Sequence, residues 1–300
     1  MRVFVTGATG FIGSAVVQEL IKAGHQVLGL ARSDASAQAL VTAGAEVLHG
    51  DLQDLDSLRS GAAVTDGIIH CGFIHDFSRF KEICEIDRAA ITAMGGELKA
   101  TNKPIIVCSG VLLLEPGRLN TEMDTVNFDS NAFPRVASEE AVQALLSQGV
   151  RGMVVRLSPT VHGKGDHGFI PYIIETARQT GVSAYIGDGQ NHWPAIHRLD
   201  AATLFRLALE KGLAGDVFHG VTEQGVPIRK VAEVIGKHLN LPVVSKSTEE
   251  AATHFTWMAH FLATDCLASS EITKQKLGWQ PEHPGLIADL DNDYYFEKHN

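Results

Sequence analysis

The stretch Thr6–Gly13 reads TGATGFIG and spaces three glycines as G-x-x-G-x-x-G, at Gly7, Gly10 and Gly13. A glycine turn between a strand and a helix lets backbone approach a diphosphate, and the helix start offers free N–H groups and a favourable dipole. Gly13 lets the helix pack close to the strand. Thr9, Phe11 and Ile12 complete the turn and are read as cofactor contacts with it. The second strand ends Leu30-Ala31-Arg32-Ser33. An NAD site commonly has a carboxylate there, to bond the ribose 2′-OH. Arg32 is instead a planar cation suited to a 2′-phosphate, and Ser33 adds a hydroxyl. Asp34 is read as the cap of the next helix. These residues point to NADP(H) in preference to NAD(H). The alternatives are a ligand-free tight turn and a solvated surface arginine.

Such a turn needs particular elements around it, and the chain supplies them. Arg2–Val5, Gln26–Ala31, Ala45–His49, Gly67–His70, Pro104–Val107 and Gly152–Leu157 are short runs rich in Val, Ile and Leu without clean alternation. That pattern belongs to strands covered on both faces. Helical stretches separate them, such as Ile12–Ala23 with Ile12, Val16, Leu20 and Ala23 on one face. Strand–helix alternation implies an α/β fold, a Rossmann-type doubly wound parallel sheet with right-handed crossovers. After about residue 160 the pattern loosens, and helices such as Ile228–Leu239 dominate. The expected division is a cofactor domain over 1–160 and a smaller α/β substrate lobe over 161–300, with segments around 195–222 returning to the first domain.

The 300 residues are 45% apolar and 20% charged, an ordinary globular mixture. A net charge of −10 argues against nucleic acid or an anionic membrane as partner. Cys71, Cys84, Cys108 and Cys266 form no C-x-x-C pair, so buried thiols are expected in place of disulfides or zinc. The N-terminus enters an apolar strand without a signal-like n-region, and no apolar run approaches a bilayer span. The expected setting is the cytoplasm, with a small-molecule substrate and a monomer or homodimer.

With these motifs in place, the chain resembles the short-chain dehydrogenase/reductase superfamily, in the extended and atypical branch that includes NAD-dependent epimerase/dehydratases. The resemblance is carried first by TGATGFIG. Gly50-Asp51-Leu52 is similar to the family's acidic turn against the adenine, which implies cofactor contacts for Asp51 and Leu52. His70-Cys71-Gly72 falls where the family has small residues beside the cofactor, which implies the same for Cys71 and Gly72. Cys108-Ser109-Gly110 ends the fifth strand, where the family carries its active-site serine, and this implies that Ser109 aligns the substrate oxygen. Arg156–Asp166, RLSPTVHGKGD, resembles the branch's segment ending V-Y-G-x-G-D and would set Pro159, Thr160 and Val161 near the nicotinamide. Ile196–Asp200 and Leu277-Gly278-Trp279 with Pro281 resemble later segments of the same branch.

The family also implies a tyrosine, with a lysine four residues on, opening the helix before the sixth strand; residues so spaced share a helix face. Here that window reads NAFPRVA and holds neither. Phe133 has no proton to give, and Arg135 is too basic for a simple acid. Arg135 could replace the lysine's ribose contact or stabilise an oxyanion. Tyr294 and Lys298 make a Y-x-x-x-K at the C-terminal end, read as coincidence. The proton then comes from His162 or His75, or from water held by Ser109, or the chain binds cofactor without turnover. His162 and His75 each also read as structural histidines.

Other constellations say less. The fourteen histidines show no metal-ligand spacing, so no metal is expected. A G-x-S-x-G elbow is lacking around Ser109, which excludes the usual serine hydrolase. Phe255, Trp257 and Phe261 read as core or as an apolar wall. Gly187–Trp193 reads as a loop over the cleft or a solvated turn, with Asn191 and His192 as possible contacts. No basic cluster lies around Tyr185–His197 to hold a sugar-nucleotide diphosphate. The leading expectation is an NADP(H)-dependent oxidoreductase acting on a small, partly apolar carbonyl or alcohol. The alternatives are an epimerase/dehydratase with tightly held cofactor, and a non-catalytic NADP(H) sensor.

Overall fold

The computed structural model describes residues 1–297. In chain order the first elements are β1 (Arg2–Thr6), α1 (Phe11–Lys22), β2 (Gln26–Ala31), α2 (Asp34–Thr42), β3 (Glu46–His49), α3 (Leu55–Ala63), β4 (Gly67–His70), α4 (Phe80–Gly96), β5 (Pro104–Gly110), β6 (Leu119–Asn120), α5 (Ala137–Leu146) and β7 (Arg151–Leu157). There follow β8 (Thr160–His162), α6 (Phe169–Thr180), β9 (Ser183–Ile186), β10 (His192–His197), α7 (Arg198–Lys211), β11 (Val217–Gly220), β12 (Glu223–Pro227), α8 (Ile228–Leu239) and β13 (Val243–Lys246). The chain ends with α9 (Thr248–Phe255), α10 (Ala259–Ala263), β14 (Leu267–Ala268), α11 (Glu271–Leu277) and α12 (Leu286–Leu290).

A seven-stranded sheet has the order β11-β7-β5-β4-β1-β2-β3, with every pair parallel. The apolar runs account for this. In β1, Val3, Phe4 and Val5 are fully buried, alternating between two cores, because helices cover both faces. One core packs Val16 and Leu20 of α1 and Phe205 of α7 on the sheet. The other packs Ile91 of α4 and Leu145 of α5 on the opposite face. The order reverses at β1, so β1 and β4 diverge there and leave a crevice at their carboxyl ends.

A second group of elements builds a smaller layer. Strands β12-β10-β8 form a three-stranded sheet, and β13-β9 and β14-β6 are two-stranded. Their core gathers Trp193, Phe255, Ile173 and Ile235. The chain returns to the large sheet through α7, where Arg206 pairs with Glu19 of α1 at 2.7 Å, and through β11. Helix α2 corrects one expectation. Its cap is Ser33, whose hydroxyl accepts from the Ser36 N–H at 3.2 Å, while Asp34 is the first helical residue. Ser33 has the extended backbone a cap requires. No helix among the described residues is long and apolar enough to cross a membrane.

Candidate functional site

The turn between β1 and α1 is shaped for close approach. Gly7 has φ +64°, and a Cβ there would lie 2.7 Å from the Gly72 nitrogen and 2.8 Å from the Cys71 carbonyl. A Cβ on Gly13 would sit 2.0 Å from the Gly7 oxygen. Only glycine fits either position. Helix α1 starts at a glycine cap, with no side-chain bond and no acid in its first turn. Its first N–H groups therefore face the turn without a competing anion, which suits a diphosphate. Arg32 is exposed at the end of β2 and makes no ion pair among the described residues. The Asp51 carboxylate accepts from the Gln53 and Asp54 N–H groups at 2.7 and 3.2 Å, fixing its own turn beside Leu52. Gly72 is buried, and the Cys71 thiol is pushed well above its ordinary pKa by burial and then by Cys108.

At the end of β5 two of the expected catalytic residues, Ser109 and Arg135, come near each other. Ser109 is 5% exposed, and its hydroxyl donates to Glu139 of α5 at 2.7 Å. Glu139 is held in turn by both arms of Arg156, at 2.9 and 2.8 Å. While that bond stands, the Ser109 proton is not available to a substrate oxygen. Arg135 begins the approach to α5 in a 3-10 turn, Pro134–Val136. Its Nη2 donates to the Cys108 carbonyl at 2.9 Å, and its guanidinium lies 4.5 Å over the Phe73 ring. Phe73 meets His75 edge-to-face at 5.5 Å. The His75 pKa is lowered, first by desolvation and then by the nearby positive potentials of His167 and Arg135. His75 is nonetheless exposed. His167 reaches across from the segment after β8 and meets Phe11 of α1 edge-to-face at 5.8 Å, and Arg198 of α7 lies 5.1 Å over the same ring.

His162 is not brought to this cluster. It is fully enclosed, and its Nδ1 bonds Asp289 at 2.9 Å. A side chain with no exposed surface cannot touch a ligand, so the donor role fits it poorly. Thr160 is also turned inward, donating to the Pro194 carbonyl at 2.6 Å, while Pro159 and Val161 keep partly exposed surfaces. Asn191 donates to the Leu262 carbonyl at 2.6 Å and His192 bonds Asp265 at 3.0 Å, so both brace the chain. Phe255 is core and Trp257 is 41% exposed. Tyr294 bonds Asp289, and Lys298 lies outside the described residues. Asp200, His197 and His283 cluster closely enough to suggest a metal. The two rings stack at 4.7 Å and 9°. Asp200 is occupied by the Glu282 N–H at 3.0 Å and by His283 Nδ1 at 2.8 Å. The cluster is a brace between α7 and the segment before α12.

Sequence reading missed Glu139, Asp87 and His70. One signal was present: Arg156 is a charge inside the apolar run GMVVRL, and a charge in a buried strand requires a buried partner.

Comparison with known proteins fits this geometry. The profile of the NAD dependent epimerase/dehydratase family matches residues 3–219. The chain belongs to that family. It is 49% identical over 297 residues to an uncharacterized protein of Schizosaccharomyces pombe, covering 99% of this chain and 100% of that one. It is 28% identical over 245 residues to a decarboxylating sterol-4-alpha-carboxylate 3-dehydrogenase of Dictyostelium discoideum, covering 76% and 74%. The dTDP-glucose 4,6-dehydratase of Streptomyces venezuelae, solved with NAD and TYD bound, superposes with a TM-score of 0.79 at 19% identity, covering 99% and 97%. As an epimerase/dehydratase-family protein, the chain has the fold and family of NAD(P)-dependent oxidoreductases and epimerases.

Proposed function

We propose that this chain is an NADP(H)-dependent oxidoreductase acting on a small, partly apolar carbonyl or alcohol. The observation that carries the reading is Arg135, a cation fixed at the end of β5 over Phe73, beside the exposed His75. A dinucleotide held at the glycine turn of Gly7, Gly10 and Gly13 would supply or accept hydride through its nicotinamide. The chain must then stabilise charge on the substrate oxygen. Arg135 provides a fixed positive charge, and His75, whose pKa is lowered first by desolvation, stands beside it. A guanidinium stays charged at any working pH, so it polarises a carbonyl without needing a low pH. The proton itself comes from water, or through His75. Phe73 and Phe11 give the cleft apolar walls, which suits a partly apolar substrate and accords with the sterol dehydrogenase among the relatives. Arg32 supports the preference for NADP(H). Four free cysteines suit a reducing compartment, which supports a cytoplasmic setting. A monomer or homodimer is the proposed state on general frequency.

The test is titration of the apo chain with NADPH and NADH, followed by NADPH turnover against aldehydes, ketones and quinones. Tighter NADPH binding with turnover on a carbonyl is the expected result. Binding without net cofactor consumption, together with interconversion of a sugar or sterol epimer, would replace the reading with the epimerase. Failure to bind either nucleotide would overturn it.

A further inference from the structure

We infer that Asp87 and His70 are positioning residues for Arg135, forming a buried chain that fixes a cation at the reacting oxygen. The inference rests on the proposed role of Arg135 and goes beyond it, because neither Asp87 nor His70 reaches the cleft. His70 is 1% exposed and Asp87 2%, and Thr6 and Ser138 are fully buried. His70 Nε2 bonds Asp87 Oδ1 at 2.9 Å, and His70 Nδ1 bonds the Thr6 hydroxyl at 2.7 Å. The Ser138 hydroxyl donates to Asp87 Oδ2, and Arg135 Nη1 donates to Ser138 while lying 3.5 Å from the same Asp87 oxygen.

The hydrogens can be assigned along this chain. Thr6 accepts the Gly72 N–H at 3.2 Å, and the same hydroxyl bonds His70 Nδ1. His70 then presents Nε2–H to Asp87. Both Asp87 oxygens are thereby satisfied from one side by an imidazole and from the other by serine and guanidinium. Burial alone drives the Asp87 pKa up, and His70, Arg135 and Ser138 more than offset it, so the group stays anionic.

This arrangement does more than close a core. A buried carboxylate is costly, and apolar residues would fill the same space more cheaply. Here the carboxylate is aimed at one cation, and the cation reaches the site. Arg135 has five N–H donors in a rigid fork. Ser138 and the Cys108 carbonyl take two directions, and the Phe73 ring sets the plane. The side chain keeps an exposed face, and that face is where the proposed role puts the substrate oxygen. Thr6 joins the same chain to the glycine turn, because Gly72 lies against Gly7. The glycine turn meets this network at Thr6, and Asp87 stands at its other end, against the cation.

The test uses the full chain, with NADPH-dependent reduction of 9,10-phenanthrenequinone and a separate NADPH titration. Arg135→Ala is expected to lower kcat about a hundredfold. Asp87→Asn should lower kcat at least about tenfold with the NADPH Kd and quinone KM within about twofold, since about 1 Å of misplacement has effects of that size. The double variant should match Arg135→Ala, because Asp87 acts through Arg135. Added guanidinium ion should restore activity to Arg135→Ala and fail to do so in the double variant. A purely structural Asp87 would give additive losses and rescue in both, and that result overturns the inference. Should Asp87→Asn fail to fold, Ser138→Ala decides, with a kcat fall of about threefold expected and an unchanged kcat overturning. Turnover by the wild type that Asp87→Asn leaves intact sinks the inference alone. No turnover by the wild type sinks the functional reading with it.

Discussion

At the glycine turn after β1, backbone atoms make the site. Gly7 and Gly13 contribute by having no side chain, and the donors are the N–H groups of α1. At the start of α5, side chains make it. Arg135, Ser138, Glu139 and Ser109 are held by Asp87 and Arg156, which lie far away in sequence. The difference teaches where each region is fragile. The first fails when an atom is added, the second when a charge is removed.

The largest effect should come from removing charge. Glu139→Gln leaves the Arg156 guanidinium buried without its anion, and a loss of about 3–5 kcal/mol is expected in urea unfolding. A loss under about 1 kcal/mol would mean the pair is replaceable, and would break the comparison. Adding an atom at the turn comes next. Gly13→Ala places a methyl 2.0 Å from the Gly7 oxygen. About 3 kcal/mol of stability and most NADPH affinity should be lost, as read by unfolding and titration. Third, Arg32→Ala should weaken NADPH binding about tenfold to a hundredfold and leave NADH unchanged. Equal losses for both nucleotides would remove the 2′-phosphate assignment.

The smallest effect is in pH dependence. The Asp166 pKa is raised from 3.8 to about 7, by burial first, then opposed by the Gly168 N–H and reinforced by Asp289. An acid whose folded pKa is raised favours the folded state only while protonated. Above about 3.8 the unfolded chain ionises first, so stability falls until the folded group ionises near 7. Asp166→Asn removes that penalty. It should gain about 1 kcal/mol at pH 8 and nothing at pH 3, as followed by thermal unfolding. A gain that is the same at both pH values would point to packing instead of titration.

Much of the frame was legible in the chain. The apolar runs marked the strands of the large sheet within a residue, except β5, which runs three residues past Val107, and β11, and Ile228–Leu239 appeared as read. The site was legible in part. The glycine turn could be read because its requirement is local: a positive φ and a missing Cβ are properties of single positions. Ser33 and Asp34 were exchanged as cap because either side chain can cap a helix, and only the backbone conformation at Ser33 chooses. His162 and His75 looked alike in sequence, yet one is enclosed against Asp289 and the other is exposed.

The sequence by itself therefore determined the alternation of strands and helices, the glycine turn, the cation at the end of β2 and the lack of tyrosine and lysine before α5. Those follow from periodicity and residue type, which act over a few positions. Only the tertiary structure decided which polar groups meet. Ser138 finds Asp87 across 51 positions and His162 finds Asp289 across 127. Such pairings depend on how elements pack, because a buried charge is stable only where a partner from another element arrives beside it.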